Sequence, residues 1–317
     1  MPVVAGVDCG TNSIRLLICS VGPDGVLREI TRENTIVRLG QGVDASGHLH
    51  PDAIARTREA LAGYVERMAA EGVSAVRMVA TSATRDASNR DEFFSMTAEL
   101  LGRIQPGAVA EVISGEDEAA LSFAGATVDI SSARGPFCVI DLGGGSTEFI
   151  VGTSAGAISG AYSTQMGCVR VTERIMSSDP ATPEEIHNAR LLIDEKITQA
   201  ASHVPLGEAV TLVGCAGTFT TLSALAQGLN EYDPEAIHMS EISFDQMRDT
   251  TAELLAQTAA QRKENPVIHE GRADVIGAGA VIVEQLMAAF EELSAGRIQS
   301  FIISEKDILD GIVAGLV

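Results

Sequence analysis

One thirteen-residue phrase occurs twice in this chain, and it constrains the fold more than any other feature. Residues 7–19 read VDCGTNSIRLLIC, and residues 140–152 read IDLGGGSTEFIVG. Aligned without a gap, the two phrases share an acid and two small residues: Asp8 with Asp141, Gly10 with Gly143, and Ser13 with Ser146. Each copy predicts a strand that ends at an acid, a turn of small residues, and a second strand. The repeat therefore predicts two similar half-molecules.

The residues at these turns suit a phosphate. Backbone N–H groups of Gly and Ser in a turn form a concavity that binds anions, and a neighbouring Asp can hold a divalent cation. One such turn is a weak signal, because an ordinary hairpin has the same composition. Two related copies favour two halves that face each other across a phosphate.

Composition predicts a folded protein of one large or two medium domains. The 317 residues are 45% hydrophobic and 21% charged, which allows a substantial core and excludes a disordered chain. No apolar run reaches transmembrane length, and the start MPVVAGVD lacks a basic region, so we expect neither a membrane anchor nor a signal peptide. Five cysteines without a C-x-x-C spacing predict reduced core residues in a cytoplasmic protein.

The net charge of −21 argues against a nucleic-acid partner. It also conflicts at first sight with an anionic ligand. All the basic residues except Lys196, Lys263 and Lys306 are arginines, however, and arginine makes bidentate contacts to phosphate. A few placed arginines and a metal ion would outweigh a distant acidic surface. The alternative is that the acidic surface serves solubility alone.

Periodicity and turn residues predict the order βββαβαβα in each half. The predicted strands are Val3–Asp8, Ser13–Val21, 26–37, 75–81, 109–113, 137–141, 147–151, 157–162, 210–213 and 298–303. The predicted helices are 51–70, 90–104, one from Glu116, 169–176, 182–203, one from Thr218, 244–261, 272–292 and a terminal helix. Such units indicate α/β domains with helices on both sheet faces and ligands at the carboxyl ends of the strands. The best boundary is residues 131–136.

Both turns are candidate phosphate sites. The second, residues 143–147, has three successive glycines that allow close backbone approach to a ligand, and it follows Asp141. The first turn, residues 10–13, is poorer in glycine, so its assignment as a phosphate site depends on its match to the second turn. Two residues beyond the turn Ser, the first copy has Arg15 and the second has Glu148. These side chains share the face of the turn Ser, where Arg15 would hold phosphate and Glu148 a metal or water. Alternatively, both face solvent.

Three further strand ends carry candidate residues. In ISGEDEA (113–119), Ser114 and Asp117 fit a helix cap, but Glu118 is poorly explained by capping and is a candidate general base. Arg85 follows small hydroxyl residues, which suits an oxyanion or a capped helix start. Gly217 and Thr218 offer helix N-terminal amides to a phosphate, or form a tight packing turn. Arg272 opens a helix rich in glycine. The six histidines show no metal spacing.

At this point the chain resembles a known family, the exopolyphosphatase / guanosine pentaphosphate phosphohydrolase (Ppx/GppA) family of the actin, sugar kinase and chaperone ATPase superfamily. Seven motifs in family order carry the resemblance: VDCGTNSIRLL, ATSATRDASN, VISGEDEA, IDLGGGSTEFIVG, GCAGTFTTL, GRADVIGAGAVIV and SEKDILDG. It implies an α/β fold of two actin-like (ribonuclease H-like) domains, residues 1–130 and 131–317, with the active site in the cleft between them. The helix at about 305–317 would pack back on the first domain. The chain is similar to the short form of the family.

The resemblance also implies the chemistry. It implies a homodimer that hydrolyses the terminal phosphate of polyphosphate with Mg²⁺, or with Mn²⁺ as a substitute. Glu118 would position or deprotonate water, assisted by Glu148. Metal ligands would be Asp8, Asp141 and Glu148. The phosphate-binding residues would be Gly10, Thr11, Asn12, Ser13, Arg15, Arg85, Gly143, Gly144, Gly145, Ser146, Thr147, Gly217, Thr218 and Arg272.

Three other functions stay open at the level of sequence. Guanosine pentaphosphate (pppGpp) shares the terminal phosphoanhydride with polyphosphate, so the motifs do not separate the two substrates. An ATP-dependent kinase of the same superfamily would place adenosine near residues 214–218. A non-catalytic nucleotide-binding regulator is the third. The paired glutamates Glu118 and Glu148 favour water as the nucleophile over these last two.

Overall fold

The computed structural model describes residues 1–153 and 156–317, which form two compact units. The first unit comprises Met1–Gly125 and Ile308–Val317, and the second comprises Ala126–Asp307. The chain thus leaves the first unit after Gly125 and returns to it for its last ten residues, Ile308–Val317. No helix among the described residues combines the length and the apolar character needed to cross a membrane.

Strands and helices alternate along the chain. The strands are β1 Val3–Cys9, β2 Ser13–Val21, β3 Leu27–Ile36, β4 Ala75–Ala80, β5 Glu111–Val112, β6 Phe137–Leu142, β7 Thr147–Gly152, β8 Ile158–Thr164, β9 Thr211–Cys215, β10 Ser240–Ser243 and β11 Ser300–Ile303. The helices are α1 Val43–Ser46, α2 Pro51–Ala70, α3 Ser82–Asp86, α4 Asp91–Leu101, α5 Gly115–Thr127, α6 Cys168–Arg174, α7 Pro183–Ala201, α8 Ala216–Ala226, α9 Pro234–Ile237, α10 Phe244–Ala256, α11 Ala259–Lys263, α12 Ile276–Leu293 and α13 Ile308–Ala314.

The first unit contains one five-stranded mixed sheet in the order β3-β2-β1-β4-β5. β1, β2 and β3 form an antiparallel meander, and β4 and β5 continue the sheet in parallel with β1. The register places Asp8 directly opposite Arg15. Helix α13 packs on this sheet because Gly6 in β1 leaves room for it: a Cβ there would lie 2.8 Å from Val313 Cγ2.

The second unit repeats this arrangement and extends it by one strand. Its sheet has the order β10-β11-β9-β6-β7-β8, in which β6, β7 and β8 form the meander, and β9 and β11 run parallel to β6. The register places Asp141 directly opposite Glu148, the position that Arg15 has in the first unit. The α/β fold of two mixed sheets is confirmed, and β10 is an antiparallel edge strand that the predicted order lacks.

The two strands that flank the second turn, β6 and β7, are fully buried and hold that turn in place. All six residues of β6 are buried, as are all six of β7, because helices cover both faces of the sheet. Helix α12 is buried along most of its length and packs against α7 and α10. Helix α7 begins where the sequence predicts, at a capping box in which Thr182 and Glu185 exchange hydrogen bonds.

Several predicted element boundaries are wrong. The helix expected over residues 244–261 is two helices, because Thr258 caps a new helix with Gln261 and ends the run after Ala256. The helix expected from Arg272 begins at Ile276, after a 3₁₀ turn at Glu270–Arg272. Strand β5 has only two residues, Glu111–Val112. Helices α1, α3 and α9 are absent from the predicted elements, because they are too short to show a helical period in the sequence.

Candidate active site

The first turn, residues 10–13, has its carbonyl groups turned toward the segment that follows β3. Gly10 N–H donates to Ser13 O at 2.9 Å and closes the turn. The Asn12 carbonyl accepts from the amides of Val37 and Arg38 at 3.0 and 2.9 Å, and the Thr11 carbonyl accepts from Gly40 at 2.9 Å. Arg38 holds a left-handed backbone, φ 51°, to make this contact. The segment 37–40 therefore fixes which way the turn faces.

The second turn, residues 143–147, is held in the same manner by the segment after β8. Gly143 N–H donates to Ser146 O at 3.0 Å. The Gly143 carbonyl accepts from Cys168 at 3.1 Å, and the Gly144 carbonyl accepts from the next two amides of α6 at 2.9 and 3.1 Å. Within the described part of the chain, the amides of Gly144 and Gly145 have no acceptor. Their N–H groups are available to an anion, as the composition of the turn predicts.

Two glycines and one arginine that the sequence did not single out support these turns. An ideal Cβ on Gly40 would lie 2.3 Å from Thr11 Cγ2, and one on Gly167 would lie 2.4 Å from the Gly144 carbonyl. Both glycines lie shortly after the third strand of their meander, and each packs against the turn of its own unit. The buried Arg170 donates from Nε to the Gly145 carbonyl at 2.7 Å. The repeated phrase does not point to these three residues, because they lie outside both of its copies.

We expect Gly167→Ala to destabilise the protein and weaken phosphate binding. The new methyl group would overlap backbone atoms of the second turn, which cannot rotate away, so we expect a loss of about 1–3 kcal/mol of unfolding free energy. Gly63→Ala is the matched control, because a Cβ there meets nothing within 4 Å. Chemical denaturation and the KM for phosphate release would measure both effects. Equal stability of Gly167→Ala and wild type would contradict the contact.

Thr147 and Ser146 have different surroundings within the second turn. The Thr147 hydroxyl is buried and donates to the Met166 carbonyl, while the Thr147 carbonyl accepts from the Thr164 hydroxyl at 2.9 Å. Its side chain thus joins β7 to the end of β8. Ser146 is buried beside it, 3% exposed.

The residue opposite the Asp shared by both copies of the repeat is basic in the first unit and acidic in the second. In the first unit, Arg15 donates from Nε and Nη2 to Asp8 Oδ2 at 3.0 and 2.7 Å, so acid and base neutralise each other. In the second, Asp141 faces Glu148, and both carboxylates are buried, 7% and 1% exposed. Ser163 donates to Glu148 Oε1 at 2.6 Å. Like charges opposite each other on paired strands destabilise a sheet, so this pair favours a bound cation.

The residues of the second unit fit a magnesium ion. Mg²⁺ is commonly bound through one or two carboxylates, with waters and substrate phosphates as its other ligands. Asp141 and Glu148 provide two such carboxylates beside the phosphate-binding amides. Across the residues that the structure describes, no group of three or more His, Cys, Asp and Glu side chains gathers. Within that part of the chain, Asp141 and Glu148 therefore offer two carboxylates without a third acidic, His or Cys ligand beside them.

Glu118 and Arg85, predicted for separate roles, form one ion pair. Arg85 Nη1 donates to Glu118 Oε2 at 3.0 Å and to the Ile113 carbonyl at 2.9 Å. Glu118 is 7% exposed and lies in the first turns of α5, where Ser114 and Asp117 form the cap that the sequence predicts. The guanidinium fixes the carboxylate at the carboxyl end of β5. A fixed, buried carboxylate can orient a water and accept its proton.

Gly217, Thr218 and Arg272 meet at the start of α8. An ideal Cβ on Gly217 would lie 2.2 Å from Arg272 Cζ, so only glycine lets the guanidinium lie against this turn, where Nη1 donates to the Gly217 carbonyl at 3.3 Å. Ala216, just before it, has φ 66°. Burial raises the pKa of the Cys168 thiol, while Arg272 and Thr218 oppose that rise. Arg272 and Thr218 therefore lie near Cys168, whose amide holds the second turn.

The predicted site residues thus form two groups, one in each unit. The first unit contains Asp8, Arg15, residues 10–13, Arg85 and Glu118. Segment 82–86 borders the first turn there, because a Cβ on Gly40 would lie 3.1 Å from Ala83 Cβ. The second unit contains Asp141, residues 143–147, Glu148, Gly217, Thr218 and Arg272. Each group combines backbone or arginine N–H groups with at least one buried carboxylate.

Comparison with known proteins agrees with this geometry. The model of the Ppx/GppA phosphatase family matches residues 17–314. Exopolyphosphatase 2 of Mycobacterium tuberculosis is 51% identical over 316 residues, which cover 99% of this chain and 98% of that protein. The crystal structure of an exopolyphosphatase-like protein superposes with a TM-score of 0.91 at 40% identity, covering 98% of this chain and 97% of the other.

A more distant structure has the same architecture. The Ppx/GppA enzyme of Aquifex aeolicus superposes with a TM-score of 0.78 at 30% identity over 99% of both chains. The three whole-length matches each cover at least 98% of this chain. With its two actin-like α/β units and the whole-length likeness to these relatives, the chain belongs to the Ppx/GppA phosphatase family.

Proposed function

We propose that this protein is an exopolyphosphatase, which hydrolyses the terminal phosphoanhydride of inorganic polyphosphate and releases orthophosphate. The observation that carries the hydrolytic step is the buried carboxylate of Glu118, held by Arg85 at the carboxyl end of β5. The substrate class follows from the name of the M. tuberculosis relative, with which the chain shares 51% identity over nearly its whole length.

Each unit offers its own donors to phosphate. The amides of Gly144 and Gly145 donate to oxygens of the terminal phosphate, and Arg272 at Gly217 adds positive charge in the same unit. In the first unit, Arg15 and the turn at residues 10–13 offer the corresponding donors. These donors offset an overall charge of −21, which repels a polyanion at long range. The arginines act at short range, where their direct contacts with phosphate are stronger than the repulsion from the distant acidic surface, which salt screens.

The residues that would hold Mg²⁺ are Asp141 and Glu148 of the second unit. Asp8, which the family resemblance also implies as a metal ligand, is paired with Arg15 in the first unit. Bound by Asp141 and Glu148, the ion would neutralise negative charge on the phosphate oxygens, and Mn²⁺ would substitute for it. Glu118 then orients a water toward the terminal phosphorus and accepts its proton. A P–O bond forms to the water oxygen while the bond to the bridging oxygen breaks. Orthophosphate and a polyphosphate that is one phosphate shorter then leave the site.

Guanosine pentaphosphate is the second candidate substrate. The matching family includes both activities in its name, and both substrates end in the same phosphoanhydride. The roles proposed above concern only that bond, so the same residues would serve either substrate. We propose polyphosphate first because the whole-length relative is an exopolyphosphatase.

Phosphate release from three substrates tests the proposal. We expect Mg²⁺-dependent release of orthophosphate from polyphosphate, with slower release from guanosine pentaphosphate and little from ATP. Faster release from guanosine pentaphosphate would assign the second function. Transfer of phosphate from ATP to a sugar would indicate a kinase, and no turnover of any substrate would contradict an enzyme. Light scattering on the purified protein would test the homodimer that we propose from the family.

A further inference from the structure

Ser163 in β8 extends the row of residues that contains the two acids of the second unit. The register places Asp141 on β6 opposite Glu148 on β7, and it places Glu148 opposite Ser163 on β8. Residues directly opposite each other on paired strands share one face of the sheet. The three side chains therefore lie side by side across the meander. Ser163 belongs to neither copy of the repeated phrase, and the proposed mechanism gives it no role.

The corresponding row of the first unit is built differently. It consists of Asp8, Arg15 and Asn34, of which Asn34 is exposed. Its middle residue is a cation, and Arg15 holds Asp8 with two hydrogen bonds. In the second unit the middle residue is itself an acid, and the third strand supplies a donor to it. Ser163 Oγ donates to Glu148 Oε1 at 2.6 Å, so the hydroxyl accompanies the row with two acids.

This hydrogen bond restrains a carboxylate that solvent does not reach. Glu148 is 1% exposed, and the last torsion of a glutamate side chain has a broad preference, so a bond to one oxygen limits its rotation. The Oγ–Oε1 distance of 2.6 Å lies within the range of about 2.5–2.7 Å that is usual for a hydroxyl and an ionised carboxylate. Within residues 1–153 and 156–317, Glu148 is the one hydrogen-bond partner of the Ser163 side chain.

We propose that Ser163 is a positioning residue for the metal ion, because its hydroxyl fixes the Glu148 carboxylate in the orientation in which Glu148 and Asp141 hold Mg²⁺ together. The inference rests on the Mg²⁺ site of the proposed function. Hydrogen bonds from residues behind the ligands orient metal-binding side chains. A hydroxyl suits this position because it donates a hydrogen bond without adding a positive charge. A cation here would compete with the metal, as Arg15 would at Asp8.

Mn²⁺ binding to the full-length protein tests the role of Ser163, because electron paramagnetic resonance measures the free ion without substrate or turnover. Ser163→Thr and Ser163→Val have nearly the same shape, both suit a strand, and only Thr keeps the hydroxyl. We expect the Kd for Mn²⁺ to rise by about 10–100-fold in Ser163→Val and in Ser163→Ala, and to stay within about three-fold of wild type in Ser163→Thr.

Ser300→Ala is the matched control. It removes the same hydroxyl from another strand of the sheet, where Ser300 donates to Glu241 Oε1 at 2.8 Å, and it should leave the Kd for Mn²⁺ unchanged. Thermal unfolding in EDTA reports stability separately. A purely structural role would lower the melting temperature of Ser163→Ala without a change in the Kd for Mn²⁺.

The outcomes separate this inference from the proposed function. Equal Mn²⁺ affinity of the Thr and Val variants would overturn the inference even if the Ala variant does not fold, and so would wild-type protein that binds no Mn²⁺. Mn²⁺ binding that depends on the hydroxyl, together with no phosphate release from polyphosphate, would overturn the proposed function and leave the role of Ser163 in place. In an active enzyme, Ser163→Val should raise the Mg²⁺ concentration for half-maximal phosphate release by the same factor as the Kd for Mn²⁺.

Discussion

Replacement of Glu118 by Gln is expected to lower the kcat of phosphate release by roughly 10²–10⁴, the usual contribution of a general base. Gln has the size of Glu and keeps an oxygen for the Arg85 hydrogen bond, but it cannot accept a proton from water. The KM should change little, because Glu118 acts on the water and the amides and arginines bind the phosphate. Steady-state kinetics with polyphosphate at saturating Mg²⁺ would measure both constants.

Glu116→Gln is the matched control for this experiment. Glu116 lies two residues earlier in the same helix turn, and it is exposed where Glu118 is buried. We expect wild-type kcat in Glu116→Gln and wild-type melting temperatures within a few degrees in both variants. Undiminished phosphate release by a folded Glu118→Gln protein would show that another group activates the water.

Replacement of Glu148 by Gln is expected to remove most activity and, at the same time, most of the thermal stabilisation by Mg²⁺. Gln keeps an acceptor for the Ser163 hydroxyl but leaves Asp141 as the only carboxylate of the pair. A loss of about 10²–10³ in kcat would match the removal of one electrostatic group from a water-poor site. Without metal, relief of the like-charge pair should stabilise the sheet by about 0.2–1 kcal/mol.

Thermal unfolding in EDTA and in excess Mg²⁺ separates the two effects of this substitution. Glu241→Gln is the control: Glu241 lies on the same sheet and accepts a hydroxyl hydrogen bond from Ser300 at 2.8 Å, but its side chain is 48% exposed. Mg²⁺ should raise the melting temperature of this control as much as that of wild type. An equal rise in Glu148→Gln would exclude Glu148 as a metal ligand.

Much of the site could be predicted because its geometry is local in the chain. Alternation along a strand places the residue two beyond the turn Ser on the same face as that Ser, so Arg15 and Glu148 could be assigned to the ligand side. An antiparallel pair joined by a tight turn also fixes its own register, which puts Asp8 opposite Arg15 and Asp141 opposite Glu148. These relations follow from residue spacing alone.

Other features could not be predicted because they join residues far apart in sequence. Nothing in ATSATRD or ISGEDEA indicates that Arg85 and Glu118 pair with each other, since β4, β5 and the helices between them must first pack. The close approach of Gly167 to Gly144, and of Arg272 to Gly217, depends on how segments from different parts of the sheet meet. The break between α10 and α11 lacks a Gly or Pro and rests on the Thr258 cap.

The repeated phrase by itself determined that the protein has two related α/β units, each with a turn of small residues beside an acid, and that the two turns differ as Arg15 differs from Glu148. Only the tertiary structure decided which way the turns face. Their direction is set by hydrogen bonds from residues 37–40 and 168–170 to the turn carbonyls, which leave the Gly144 and Gly145 amides for an anion. Such bonds form only after the third strand of each meander has folded back on the sheet, because backbone donors carry no signature in the sequence.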